Sequence, residues 1–146
     1  MTDDPFDLER FRTAQAGVYD RALTELRAGH KRGHWIWFVF PQVRGLGSSE
    51  MSRRYAIGSL PEARAYLADP TLGPRLRECC EALEALGDGT DIGAVMGGID
   101  ALKLRSSMTL FALADPTEPL FRRVLERWYG GERDGATVRL LAATER

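Results

Sequence analysis

The fold class turns on Lys31–Ser49, KRGHWIWFVFPQVRGLGSS. Basic residues run into His34. Trp35, Trp37, Phe38 and Phe40 then crowd together, and Pro41-Gln42 and a glycine-serine turn follow. With Ile36 and Val39 added, positions 34–40 have strand composition. They are also apolar on both faces, so periodicity does not separate a strand from a buried helix. A lone strand would need a partner, and the rest of the chain offers none. The reading taken is a short buried helix ended by Pro41, with a strand as the alternative.

Outward from this stretch, helix signals dominate. Asp7 can cap a helix from Leu8 to about Arg27, with Gly17 as a possible break and Gly29 as the stop. Leu8, Phe11, Gln15, Val18 and Ala22 give it one mostly apolar stripe. Ser59-Leu60-Pro61-Glu62 is a capping box, in which hydroxyl and carboxylate each take an orphan amide. Its helix carries Ala63, Tyr66 and Leu67 and ends at Asp69-Pro70. Thr71 restarts a helix through Leu72, Leu76, Cys79, Leu83 and Leu86, closed by Gly87. A helical turn is expected at Asp91–Met96, a longer helix at Ile99–Ala114, and another opening at Thr117-Glu118-Pro119 and ending at Gly130-Gly131. Asp134 caps a last one through Val138, Leu140 and Leu141. No repeat, linker or low-complexity segment divides the chain. Residues 1–146 therefore read as one all-α domain, a compact bundle of short to medium helices.

The Ile99–Ala114 helix should be its centre. On a wheel of about 100° per residue, Ile99, Leu102, Leu110 and Leu113 share one side, and Leu104, Met108, Phe111 and Ala112 the other. Apolar residues on both sides predict a helix enclosed by neighbours. Asp100, Lys103 and Ser107 form a narrow polar stripe between them, spaced so that all three can touch. Ser106 falls inside the first apolar arc. A buried lysine is uncommon and needs a partner. Either Asp100 pairs with Lys103 and the serines bond back to the preceding turn, or Lys103 and the serines line a pocket for an anionic or polar ligand.

Composition narrows the function classes. A net charge of −1 gives no global field for nucleic acid or an anionic membrane. No apolar run is long enough to span a bilayer, and the acidic N-terminus lacks the apolar core of a secretory signal. Cys79 and Cys80 are adjacent and have no third cysteine to pair with, so they read as buried thiols of a reducing, cytoplasmic protein. His30 and His34 lack metal-ligand spacing, so neither a metal nor another cofactor is expected. Arg44-Gly45-Leu46-Gly47-Ser48-Ser49 lacks the third glycine of a dinucleotide loop and the lysine of a P-loop; it reads better as a capped turn entering a helix.

The blocks HWIWFVFPQVRGLGSS, DPFDLERFRTAQ, SLPEARAYLADPTLGPRL, DALKLRSSMTLF and WYGGERDGATVRLL together resemble a bacterial and fungal domain of unknown function, whose members are sometimes labelled "calpastatin". The resemblance covers nearly the whole chain. It implies an all-helical fold, which favours the helical reading of 34–40, and it brings no established activity and no catalytic residue. His34, Trp35, Trp37, Phe40, Pro41, Gln42, Gly45, Gly47, Ser52, Tyr55, Lys103, Ser106, Ser107 and Asp134 match its motif positions.

Two functional readings remain open. In the first, a small phosphorylated or nucleotide-like ligand binds between the 34–42 segment and the 99–114 helix. Trp35 and Trp37 supply apolar contact; Gln42, Ser106 and Ser107 orient the ligand; His34 and Lys103 are the candidates for any catalysis. In the second, the chain is a non-catalytic interaction or oligomerisation module with Lys103 as an ion-pair partner. The oligomeric state is open in both.

Overall fold

Capping chemistry sets most of the helix boundaries in the computed structural model, which describes residues 4–144. The helices among them are α1 (Glu9–Gln15), α2 (Tyr19–Ala28), α3 (Ile36–Val39), α4 (Glu50–Arg54), α5 (Leu60–Ala68), α6 (Leu72–Glu84), α7 (Ile92–Met96), α8 (Gly98–Ala114), α9 (Pro119–Tyr129) and α10 (Gly135–Thr144). The chain is all-α, as expected. Ser59 accepts from the Glu62 amide, Asp91 from the Ala94 amide and Asp134 from the Thr137 amide, each opening the helix anticipated for it. The possible break at Gly17 is realised, and one expectation, the cap of α1, needs correction. Gly17, at φ +75°, breaks the first segment into α1 and α2. Asp4 rather than Asp7 caps α1, its carboxylate accepting from the amides of Leu8 and Glu9 at 2.8 and 3.0 Å. Asp7 itself lies in the left-handed region, at φ +52°.

The aromatic segment is helical. Within α3 and its flanks the Val39 and Phe40 amides bond to the carbonyls of Trp35 and Ile36. Pro41, which has no amide hydrogen, ends the run. The chain then makes one parallel bridge, Val43 with Ile57, with the Ile57 amide on the Gln42 carbonyl at 2.9 Å and the Arg44 amide on the Ile57 carbonyl at 2.8 Å. That bridge is the whole of the β pairing among the described residues, and it fixes the backbone at Gln42.

A chain of rings marks the core. Phe11 of α1 meets Tyr66 of α5 at 5.1 Å, Tyr66 meets Phe111 of α8 at 5.4 Å, and Phe111 meets Phe121 of α9 at 5.8 Å. All four rings are fully buried, and burying each contributes about 1.5–3 kcal/mol. Helix α8 is thus central, but it is enclosed on both sides only along its second half; near its start Ala101 and Leu104 are buried on one side. There the other apolar arc is largely uncovered among the described residues: Ile99 is 72% and Leu102 57% exposed. The wheel correctly shows two apolar sides and does not show that one of them faces solvent for the first two turns.

Candidate ligand-binding site

The site is built around those first turns of α8. One carboxylate sets the path of the chain into α3. Glu25 Oε1 on α2 accepts from the Arg32 amide at 2.8 Å, the Gly33 amide at 2.9 Å and Trp35 Nε1 at 2.9 Å. Burial pushes the Glu25 carboxyl up, but these donors and the Lys31 ammonium hold it below the usual carboxylate range. Gly33 is required in this turn, because a Cβ there would lie 2.7 Å from the Trp35 ring. Trp35 is 1% exposed, with its face under the Lys31 ammonium at 4.8 Å. It belongs to the scaffold of the site.

Lys31, not Lys103, is the buried lysine. Its side chain is 5% exposed and pairs with Asp100 of α8 at 2.7 Å. Lys103 is 23% exposed, with Asp100 3.8 Å away and the face of Trp37 under its ammonium at 4.8 Å. Asp100 therefore answers mainly to Lys31, and Lys103 has only a loose partner. The Tyr129 hydroxyl donates to the Ala101 carbonyl and braces this part of α8; burial pushes that phenol well up.

Two cavities open on either side of Lys103. The first, about 270 Å³, lies between α8, the loop after Pro41 and the start of α10. Its polar wall is Gln42, Ser52, Lys103, Arg105, Ser106 and Asp134, and its apolar wall Leu46, Ile99 and Leu102. Gly47 lets the loop close on α4, since a Cβ there would fall 2.5 Å from Ser52 Oγ. Arg105 lies 3.7 Å from both Glu132 and Asp134, beyond hydrogen-bond reach, and its buried Nε has no hydrogen-bond partner among the described residues. Asp134 is already engaged at Oδ2 by the amide and hydroxyl of Thr137. Two cations and three neutral polar side chains thus line the cavity with one carboxylate, and among the described residues neither cation has a carboxylate closer than 3.7 Å, an arrangement that favours an anion.

The second cavity, about 370 Å³, is lined by His34, Trp37 and Met96, by Gly97 and Gly98 at the start of α8, and by Ile99, Asp100 and Lys103. His34 is exposed and Trp37 partly buried. Ile99 and Lys103 belong to both cavities.

Of the residues singled out from sequence, Gln42, Lys103 and Ser106 meet at the first cavity, and His34, Trp37 and Lys103 at the second. Trp35 and Ser107 line neither. Ser106 bonds back to the Leu102 carbonyl at 3.2 Å, whereas the fully buried Ser107 hydroxyl has no partner among the described residues. Ser52 and Asp134 match the family's motif positions and Asp134 also reads as a cap, but the sequence does not mark either of them, or Arg105, as lining a site. Their lining role depends on the loop–α4 and α8–α10 packing, for which the sequence carries no local signal.

The fold and these walls define a helical domain with a polar, cation-bearing groove along the start of one central helix. The chain belongs to the family described as "Protein of unknown function (DUF1810)", whose model matches residues 5–141. It is similar to a crystal structure of the conserved hypothetical protein Rv1873 from Mycobacterium tuberculosis, with a TM-score of 0.93 and 55% identity over 95% of this chain and 99% of that one. Comparison with curated proteins gives no match. Among the described residues, no helix is long and apolar enough to cross a membrane, and no group of three or more His, Cys, Asp or Glu could hold a metal ion.

Proposed function

We propose that the groove between the 34–42 segment and α8 binds a small phosphorylated, nucleotide-like ligand. The observation that carries this reading is the first cavity. There Gln42, Ser52, Lys103, Arg105 and Ser106, drawn from three separate stretches of chain, converge beside a single occupied carboxylate. Lys103 and Arg105 neutralise the anion, and the hydroxyls and the Gln42 amide orient it. Trp37 and His34 supply ring surface next door. If the site also performs chemistry, His34 and Lys103 are the groups placed for it, since both line the second cavity. A thermal-shift screen of nucleotides and sugar phosphates tests the reading: a ligand at about 100 times its dissociation constant adds about 2.7 kcal/mol to native stability. A flat melting temperature across the panel would remove it.

A second reading has its own observation. Ile99 and Leu102 stand 72% and 57% exposed at the groove, which suits a non-catalytic interaction or oligomerisation surface. Light scattering of the wild type and of Ile99→Ser/Leu102→Ser separates the two, because only this reading predicts an assembly that the double variant dissolves.

A further inference from the structure

We infer that the two cavities are halves of one bipartite site, and that the ligand is a nucleoside monophosphate with its phosphate in the first cavity and its base in the second. The inference rests on the phosphorylated-ligand reading above and adds the ligand class and its orientation. Ile99 and Lys103 line both cavities, so the two spaces share a wall. At about 270 and 370 Å³, each lies near or below the lower end of ordinary ligand pockets; together they fall inside the usual range of about 300–1,000 Å³.

The side chains lining each cavity set the orientation. The first cavity has Lys103 and Arg105 against Asp134, whose oxygens face Arg105 and Thr137. The second has only the shared Lys103 beside Asp100, which Lys31 already holds at 2.7 Å, and its lining has no hydroxyl or amide side chain to orient a phosphate. What the second cavity does offer is flat and soft surface: Trp37, His34, Met96 and the bare backbone of Gly97 and Gly98. That surface suits a heteroaromatic ring, and the Asp100 carboxylate suits its amino or sugar hydroxyl donors.

Lys103 links the halves. Its ammonium covers the Trp37 face at 4.8 Å and, among the described residues, has no carboxylate closer than Asp100 at 3.8 Å. When a phosphate enters the first cavity, the ammonium turns toward it and uncovers Trp37 for the base.

Calorimetric titration of the whole chain with inorganic phosphate, the four common nucleosides and their 5′-monophosphates tests this. The wild type should bind at least one monophosphate about tenfold or more tighter than either part alone. Ser52→Ala, or Gln42→Ala as a second variant, should weaken phosphate and the monophosphate by about tenfold, the worth of one hydrogen bond to a charged group, and leave the nucleoside unchanged. His34→Ala, or Trp37→Phe, should weaken the nucleoside and the monophosphate and leave phosphate unchanged. Phosphate and monophosphate binding equally, with His34→Ala and Trp37→Phe silent, would overturn the bipartite site and leave anion binding standing. Absence of binding by every probe would overturn both.

Discussion

Glu25→Ala removes one carboxylate and strands three donors, and its cost can be worked from the geometry. The Arg32 amide is on an exposed residue and the Gly33 amide is partly accessible, so water replaces the carboxylate there at small cost. Trp35 Nε1 has no such recourse, because the residue is 1% exposed and Glu25 is its partner. An orphaned buried donor costs about 1–3 kcal/mol. With a few tenths for each amide, the total is about 2–3 kcal/mol, or about 5–10 °C in melting temperature for a chain of this size. The effect depends on pH. The folded-state pKa of Glu25 is lowered, so its contribution is complete above the unfolded value of about 4.3 and is lost as pH falls through the folded value. Urea titrations of wild type and Glu25→Gln should therefore show a stability gap that is full at pH 7 and closes toward pH 3. A gap unchanged down to pH 3, or a Glu25→Ala cost under about 0.5 kcal/mol, the scatter of ordinary surface changes, would refute the reasoning.

Lys31→Met leaves Asp100 without its 2.7 Å partner; the loss should be about 1.5–3 kcal/mol, as for a charged hydrogen bond, and a double-mutant cycle with Asp100→Asn should recover most of it as coupling. Gly47→Ala places a methyl 2.5 Å from Ser52 Oγ, and because Gly47 is exposed the loop should move with a stability change under about 1 kcal/mol while ligand affinity falls. Cys79 and Cys80 are fully buried, and burial pushes the Cys79 thiol up to about 12. An aromatic disulfide reagent should thus titrate no thiol in the native protein and both in urea; rapid native labelling would contradict that environment.

Much of the fold was legible because caps and stops are local. Ser59, Asp91, Asp134 and Pro41 each act on atoms within a few residues of themselves, and each does in the structure what its sequence context implies. Legibility ended where a neighbour decides. Asp4, not Asp7, accepts from the Leu8 and Glu9 amides, and Asp7 adopts φ +52°. Lys31 stands in a basic run with no local sign of burial, and its side chain is buried where Asp100 meets it from another helix. The wheel of α8 gave two apolar arcs and no sign that Ile99 and Leu102 would lack a cover. The site was half visible for the same reason. Gln42, Lys103 and Ser106 were marked by residue type beside apolar runs, whereas Ser52, Arg105 and Asp134 reach the cavity only through packing. The structure also sorts the recurring motif positions: Trp35, Phe40 and Tyr55 are core, while Gln42, Gly47, Ser52, Lys103, Ser106 and Asp134 line one wall.

The groove's ligand-binding role stands or falls with Lys103, the side chain common to both cavities. Lys103→Met keeps the stem over Trp37 and removes the charge, and its loose contact with Asp100 makes the stability cost less than about 1 kcal/mol. The measurement is a calorimetric titration of wild type and Lys103→Met with nucleoside 5′-monophosphates at low ionic strength. Saturable binding to the wild type, weakened about tenfold or more in a variant that melts within a few degrees of it, is the predicted result. Equal affinity in the two proteins, or no binding to either, would contradict it.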